Sequence, residues 1–266
     1  MERFGYVASA LVGISLGLIG GGGSILTVPV MVYLFGLHPL LATSYSLFIV
    51  GSTSLVGAIN NYRKGLVNIR AALYFGAASI ITVFITRKFL IPLIPKNIVT
   101  IGGFTITESL LTMVLFAVLM LLASVNMIKD RREKAPEKEC MDCVRFFKLV
   151  GYGVLIGLIT GLLGAGGGFL LIPALVFLIK MPMKRAVGTS LLIIALNSLM
   201  GFAGDIGHFQ INWSFLIFIS LIAIAGIFVG GLLSKKIPGE KLKKGFGWFV
   251  LIMGIYIIVK EVFLKS

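Results

Sequence analysis

The sequence predicts an all-α polytopic membrane protein built from two inverted repeats. Each repeat has one glycine-broken, re-entrant or discontinuous helical segment plus three transmembrane helices. Three observations carry this prediction: apolar runs of membrane length, an internal duplication, and an alternating placement of basic loops. Of the 266 residues, 58% are hydrophobic and only 13% charged, with a mean hydropathy of +1.05. A soluble domain carries about 25% charged residues. Several runs reach the roughly 20 residues that cross a bilayer core. They lack the ten-residue alternation of a transmembrane β-barrel.

The apolar segments run over 6–36, 41–60, 68–91, 109–128, 147–179, 184–203, 213–233 and 246–264. The most polar stretch, "KDRREKAPEKECMDCVRFFK", divides them into two sets of four. This gives a first membrane repeat over 1–128, a cytoplasmic polar linker over 129–146 and a second membrane repeat over 147–266. With no gap and an offset of 144, residues 13–61 match 157–205 at 17 of 49 positions. Gly13, Gly17, Gly20, Gly22, Gly23 and Pro29 fall on Gly157, Gly161, Gly164, Gly166, Gly167 and Pro173. Apolar bias alone does not hold glycines and prolines in register.

Equivalent loops carry opposite basic bias. "NNYRKGLVNIR" holds Arg63, Lys64 and Arg70, whereas its counterpart "GDIGHFQINW" holds none. "KMPMKR" holds three and its counterpart "GLHPL" none. Basic loops stay cytoplasmic, so the halves are expected to be inverted. Inversion needs an odd number of crossings per half. That follows if 6–36 and 147–179 enter, turn at their glycines and leave on the same side. The 24 basic residues then divide 18 inside to six outside, against 13 to 11 for eight simple crossings.

"GLIGGGGS" (17–24) and "GLLGAGGG" (161–168) interrupt these long segments near their middles. Broken backbone within a bilayer survives only when buried in protein or lining a cavity. Each break starts a new half-helix, whose first N–H groups lack helical partners and carry partial positive charge. Glycine lets a ligand approach the backbone. Two such starts facing one midplane cavity form an anion site needing no buried lysine or arginine. The expected site residues are Gly20, Gly21, Gly22, Gly23 and Ser24 with Gly164, Gly166, Gly167 and Gly168. The hydroxyls of "ATSYS" and "AVGTS" add Ser44, Ser46, Thr189 and Ser190. Gly13-x-x-x-Gly17 and Gly157-x-x-x-Gly161 read instead as helix-packing motifs. Pro29 and Pro173 read as kinks.

Asn60, Asn61 and Asp205 near the far helix ends are candidates for coupling or gating, and equally for caps or water-facing residues. The ten acidic residues lie at segment ends or in loops, so no mid-membrane carboxylate relay is visible. No catalytic or metal-ligand cluster occurs within the apolar segments, which argues against an intramembrane enzyme. Cys140 and Cys143 in "ECMDC" supply at most half of a tetrahedral zinc site, or a redox pair. An incidental pair is the simpler reading. The net charge of +14 belongs to topology-setting loops rather than to nucleic-acid binding. The start, "MERFGYVASALVG", lacks the positive leader of a cleavable signal peptide.

"GLIGGGGSILTVP" and "GLLGAGGGFLLIP", followed by "ATSYSL" and "AVGTSL", resemble the TauE/SafE family of sulfite and organosulfonate exporters. That family is also called the 4-toluene sulfonate uptake permease family. The resemblance covers nearly the whole chain. The first copy departs from the usual "GTS". The resemblance implies a multi-pass plasma-membrane secondary transporter of small sulfur-containing anions such as sulfite or sulfonates. The residues leave two alternatives open: a passive anion channel using the same breaks, and a non-transporting scaffold. The expected partners are the lipid bilayer and the anion, and a homo-oligomer is compatible with the sequence. No cofactor is expected, and the coupling-ion candidates are H+ and Na+.

Overall fold

The computed structural model describes residues 2–19, 21–95, 97–101, 104–128, 146–164, 166–178, 181–233 and 239–263. The linker with Cys140 and Cys143, and Gly20, lie outside the described residues.

The first half begins with α1 (Glu2–Ile19), a 3-10 turn (Gly21–Leu26) and α2 (Thr27–Tyr33). Then come α3 (Pro39–Arg63) and α4 (Ile69–Ile85). A π turn (Thr86–Leu90) carries α4 into the short α5 (Ile91–Leu93). A two-stranded antiparallel hairpin, β1 (Asn97–Ile101) with β2 (Phe104–Thr107), precedes α6 (Glu108–Ile128). The second half has α7 (Phe146–Leu163), α8 (Gly168–Leu178) and α9 (Met183–Asp205). It ends with α10 (Trp213–Leu233) and α11 (Gly239–Ile258), which finishes in a π turn (Val259–Phe263).

Among the described residues the named elements are therefore helical apart from the hairpin, which falls between the apolar runs 68–91 and 109–128. Its strands, "NIVTI" and "FTIT", are rich in the β-branched residues that suit a pleated surface. Five helices among the described residues are long and apolar enough to cross a membrane: Pro39–Arg63, Ile69–Leu93, Glu108–Val125, Met183–Asp205 and Trp213–Leu233. At 1.5 Å per residue, the 25 residues of α3 span roughly 38 Å, enough for a 30 Å core. Leu73, Ile81, Phe218, Leu221 and Leu232 lie more than half exposed on α4 and α10. Such a belt suits lipid.

Glycines set the helix pairing. A Cβ on Gly13 would run into the Ala223 backbone, and one on Gly17 into Ile227 and Gly230. One on Gly157 would lie 2.6 Å from Ser79 O, and one on Gly161 2.8 Å from Thr86 Cβ. So α1 lies parallel to α10, and α7 parallel to α4, at backbone-contact distance. The partners are also related by the sequence offset: Ala223 stands 144 positions after Ser79, as Gly157 does after Gly13. Small residues at crossings are what allow such approach inside a bilayer.

Helices α3 and α9 run antiparallel through the middle. Gly57 meets Leu191, and Gly201 meets Leu47, the same contact with the halves exchanged. Most of the facing residues on both helices are buried, including Thr53, Ser54, Asn197 and Ser198. Replacing Gly13 with leucine should drive α1 off α10. The expected cost is roughly 1–3 kcal/mol or more, read as a lower melting temperature of the detergent-purified protein.

Candidate functional site

The two glycine segments fold differently. In the first, Gly21–Leu26 winds into a 3-10 turn that leads directly into α2. In the second, Gly164, Gly166 and Gly167 adopt φ of +67°, +66° and +70°. L-residues with a side chain rarely take that conformation, so glycine is needed there. Helix α8 then starts at Gly168, and Leu171 N–H donates to Gly167 O at 3.0 Å. The breaks are neighbours, because the 3-10 turn packs against α8 and α9. The expected juxtaposition of the two segments is thus present, while among the described residues left-handed backbone at a break is found only in the second. Pro29 falls at the third position of α2, which continues from the 3-10 turn, so its missing N–H forgoes a helical hydrogen bond there.

The second break is closed in by buried polar side chains. Gly164 abuts Thr43, and a Cβ there would lie 2.7 Å from Arg87 Nη2. Gly166 faces Ser198 Oγ, with 2.9 Å to the position of a Cβ, and Gly167 faces Thr160 Oγ1. Thr160 Oγ1, Ser198 Oγ, Arg87 Nε and Arg87 Nη2 are all buried without a hydrogen-bond partner. Most buried polar atoms in folded proteins are satisfied, so a cluster of unsatisfied ones around a broken helix marks a candidate site.

Arg87 overturns one expectation outright. The sequence reading had an anion site free of buried cations and assigned 87–96 to an outside link. Instead Arg87 is completely buried on the π turn after α4. Its Nη1 donates to Asp205 Oδ2 at 3.1 Å and to Thr43 Oγ1 at 3.0 Å. The register explains the meeting. Helices α4 and α9 run parallel, with Gly76 against Ile193, Asn197 bonded to Ser79 at 2.7 Å, and Gly201 against Val83. One further turn sets Arg87 opposite Asp205. Asp205 ends α9, where the helix dipole disfavours an anion, and the guanidinium offsets this. Asp205 is 1% exposed and so is not the water-facing residue that was one expectation for it.

The other candidates have other partners. Thr189 accepts the N–H of Asn68 at 2.9 Å. Tyr45 OH accepts the N–H of Asn212 at 2.7 Å. Asn68 caps α4 by accepting from Ala71 N–H, and Asn212 caps α10 by accepting from Phe215 N–H. All four pairs repeat at the offset of 144. In both halves, then, a hydroxyl of the motif helix latches the start of the other half's fourth helix. This accounts for the first copy's departure from "GTS": Tyr45 reaches the group that Thr189 reaches in its counterpart. Ser190 donates to Val187 O within its own helix. Ser44 and Ser46 are buried with unpartnered hydroxyls, and Ser44 faces the Asp205 carboxylate. Ser24 is buried within the 3-10 turn. Asn61 donates to Gly57 O at 2.9 Å, and Asn60 is exposed.

Sequence reasoning missed Thr43, Arg87 and Thr160 as site residues. Ser198 stands at the offset of 144 from Ser54 and carries no local signal that separates the two. Two cavities, of about 430 Å³ beside Tyr33, Tyr45 and Asn212 and about 520 Å³ beside Arg70 and Tyr74, lie away from the breaks. Among the described residues, no group of three or more His, Cys, Asp or Glu is placed to hold a metal.

A chain of lipid-facing helices, threaded by a buried ion pair at a broken helix, is a multi-pass membrane protein with a polar interior site. The comparisons place it further: it belongs to the sulfite exporter TauE/SafE family, whose model matches residues 6–257. A probable membrane transporter protein of Xylella fastidiosa (strain Temecula1) is 30% identical over 255 residues, 94% of this chain and 92% of that protein. The probable membrane transporter protein YunE of Bacillus subtilis is 25% identical over 268 residues, 91% of this chain and 89% of that one. One from Methanocaldococcus jannaschii is 36% identical over 114 residues, 41% of this chain and 43% of its own. No solved structure matches the chain.

Gly164→Ala should destabilise the protein by roughly 1–2 kcal/mol from the left-handed backbone alone, and further through Thr43 and Arg87. Gly151→Ala, on α7 with open space around it, should leave the melting temperature unchanged or raised. Thermal melts of the two variants side by side check the contrast.

Proposed function

We propose that this protein is a secondary transporter of small sulfur-containing anions, such as sulfite or sulfonates, working by alternating access between two oppositely inserted halves. The observation that carries the reading is the second glycine break. Three left-handed glycines there lie against a fully buried guanidinium and two unpartnered hydroxyls. An oxyanion needs that combination of converging N–H and O–H donors with one positive charge. The start of α8 adds its first N–H groups and partial positive charge.

Opposite insertion is supported by the antiparallel pairing of α3 with α9 and by the 18-to-six division of basic residues. Exchange between two states is supported by the reciprocal contacts. A scaffold whose halves hold each other through the same residues twice can adopt either of two related arrangements at similar energy. The names of the relatives, probable membrane transporter proteins, and of the family point the same way. The plasma membrane is the site of action on this reading.

Proteoliposomes containing the wild type should take up labelled sulfite or a short sulfonate with saturation. The Gly166→Val variant places a branched side chain at φ +66°, against Val50 and Ser198. It should insert and purify as a monodisperse species yet lose uptake by at least about tenfold. Equal uptake by Gly166→Val would remove the break from the pathway, and unsaturating flux in the wild type would indicate a channel.

A further inference from the structure

A guanidinium has five N–H donors in a planar fork. Arg87 commits only Nη1, to Asp205 and Thr43. Nε and Nη2 have no partner although the side chain is fully buried. These two nitrogens form the edge of the fork that accepts two oxygens of one oxyanion side by side. Only a glycine at 164 leaves Nη2 uncovered, since a Cβ would lie 2.7 Å from it. Asp205 has a free acceptor as well: Oδ1 has no hydrogen bond of ordinary geometry, and the Ser44 hydroxyl lies beside the carboxylate. The ion pair is end-on and single-point, whereas an optimal Arg–carboxylate pair is bidentate.

Nor does the scaffold require the pair. At the 144-position offset, Gly231 stands for Arg87 and Asn61 for Asp205. At these two positions the mirrored crossing of α10 with α3 has no charged residue. An ionisable side chain in a membrane interior, even a paired one, is costly and marks function.

We propose that Arg87 is the cationic contact for the transported oxyanion and that Asp205 is the stand-in anion it displaces. This rests on the transport reading and names the binding group and the coupling ion. The substrate takes the Nε–Nη2 edge. Two anions cannot share one buried guanidinium at full charge, so the released Asp205 carboxylate takes up a proton and becomes the neutral acid. No covalent bond to the substrate forms or breaks, and the proton travels with the anion. The charged and titratable groups around Asp205 are few. Arg87 faces it from the π turn, and His208 follows it, its N–H donating to Asp205 O at 3.0 Å. From α3 the neutral Thr43 and Ser44 approach the pair. Lys88 turns to the rings of Phe84 and Phe89, 5.4 and 5.9 Å away.

The test is calorimetric titration of the purified full chain with sulfate and with methanesulfonate, in buffers of different ionisation enthalpy. Neither probe titrates near neutral pH, so any proton uptake belongs to the protein. The wild type should bind with about one proton taken up per anion. Asp205→Asn removes the competitor and should bind roughly tenfold tighter with no proton uptake. Arg87→Lys keeps the charge but loses the fork, and should bind at least about tenfold more weakly. The double variant Arg87→Gln/Asp205→Asn leaves no lone buried charge, so it should fold and bind no anion. A folded Asp205→Asn whose affinity is unchanged or lower overturns the proposal, as does unchanged affinity in Arg87→Lys. If either result accompanies normal wild-type uptake in proteoliposomes, Arg87 falls as the contact and the transport reading stands. If the wild type takes up no sulfite, sulfate, thiosulfate or methanesulfonate, both fall together.

Discussion

A helix interrupted inside a bilayer has to be enclosed by protein, because lipid offers nothing to its unpaired backbone groups. Two interruptions in one chain make that demand the organising constraint of this molecule. The 3-10 turn at Gly21–Leu26 and the left-handed turns at Gly164–Gly167 are brought together in the interior. The antiparallel α3 and α9 pass beside them, and each half's first helix is held against the other half's fourth. The glycines at those crossings let backbone meet backbone, so the enclosure is tight. The wall glycines and the break glycines therefore serve one end by different means. Gly13, Gly17, Gly157 and Gly161 supply close approach, and Gly164, Gly166 and Gly167 supply backbone freedom.

The duplication extends to single hydrogen bonds. The Tyr45–Asn212 and Thr189–Asn68 latches are the same interaction made by different side chains, one with a phenol and one with a secondary alcohol. Each joins the motif helix of one half to the capped start of the other half's fourth helix, so the halves cannot separate there without losing both. A hydrogen bond of this kind contributes about 1 kcal/mol, enough to bias one packing over another without locking it.

Chemistry, by contrast, is one-sided. Around the second break stand Thr160, Arg87 and Asp205, and at the offset of 144 their counterparts are Leu16, Gly231 and Asn61. Only Ser198 keeps its counterpart, Ser54, and both hydroxyls are buried and unpartnered. Removing one member of a buried ion pair typically costs about 3–5 kcal/mol, because the other charge is left buried alone. A symmetric frame thus carries an asymmetric polar centre, and the end-on geometry of the pair leaves Arg87 Nε and Nη2 and Asp205 Oδ1 available there.

The sequence by itself determined the class, the repeat and the place of the interruption. Hydropathy reads out membrane helices because each long apolar run must span lipid wherever it packs. Helices α3, α6, α9 and α10 accordingly start and stop within two residues of the expected runs, or three at the end of α3. Glycines and prolines in register survive as a duplication signal because backbone geometry tolerates few replacements. Tertiary structure alone decided which hydroxyls latch and which line the break. Thr189 and Ser44 look alike in the sequence, and only the neighbouring half separates them. Tertiary structure also decided the fate of Arg87. An arginine near the end of an apolar run reads as a loop residue, since a lone charge does not enter lipid. The π turn, the parallel register of α4 with α9 and the carboxylate 118 positions away bring it inside. The partner that makes its burial tolerable is remote in sequence, and no local pattern could have announced it.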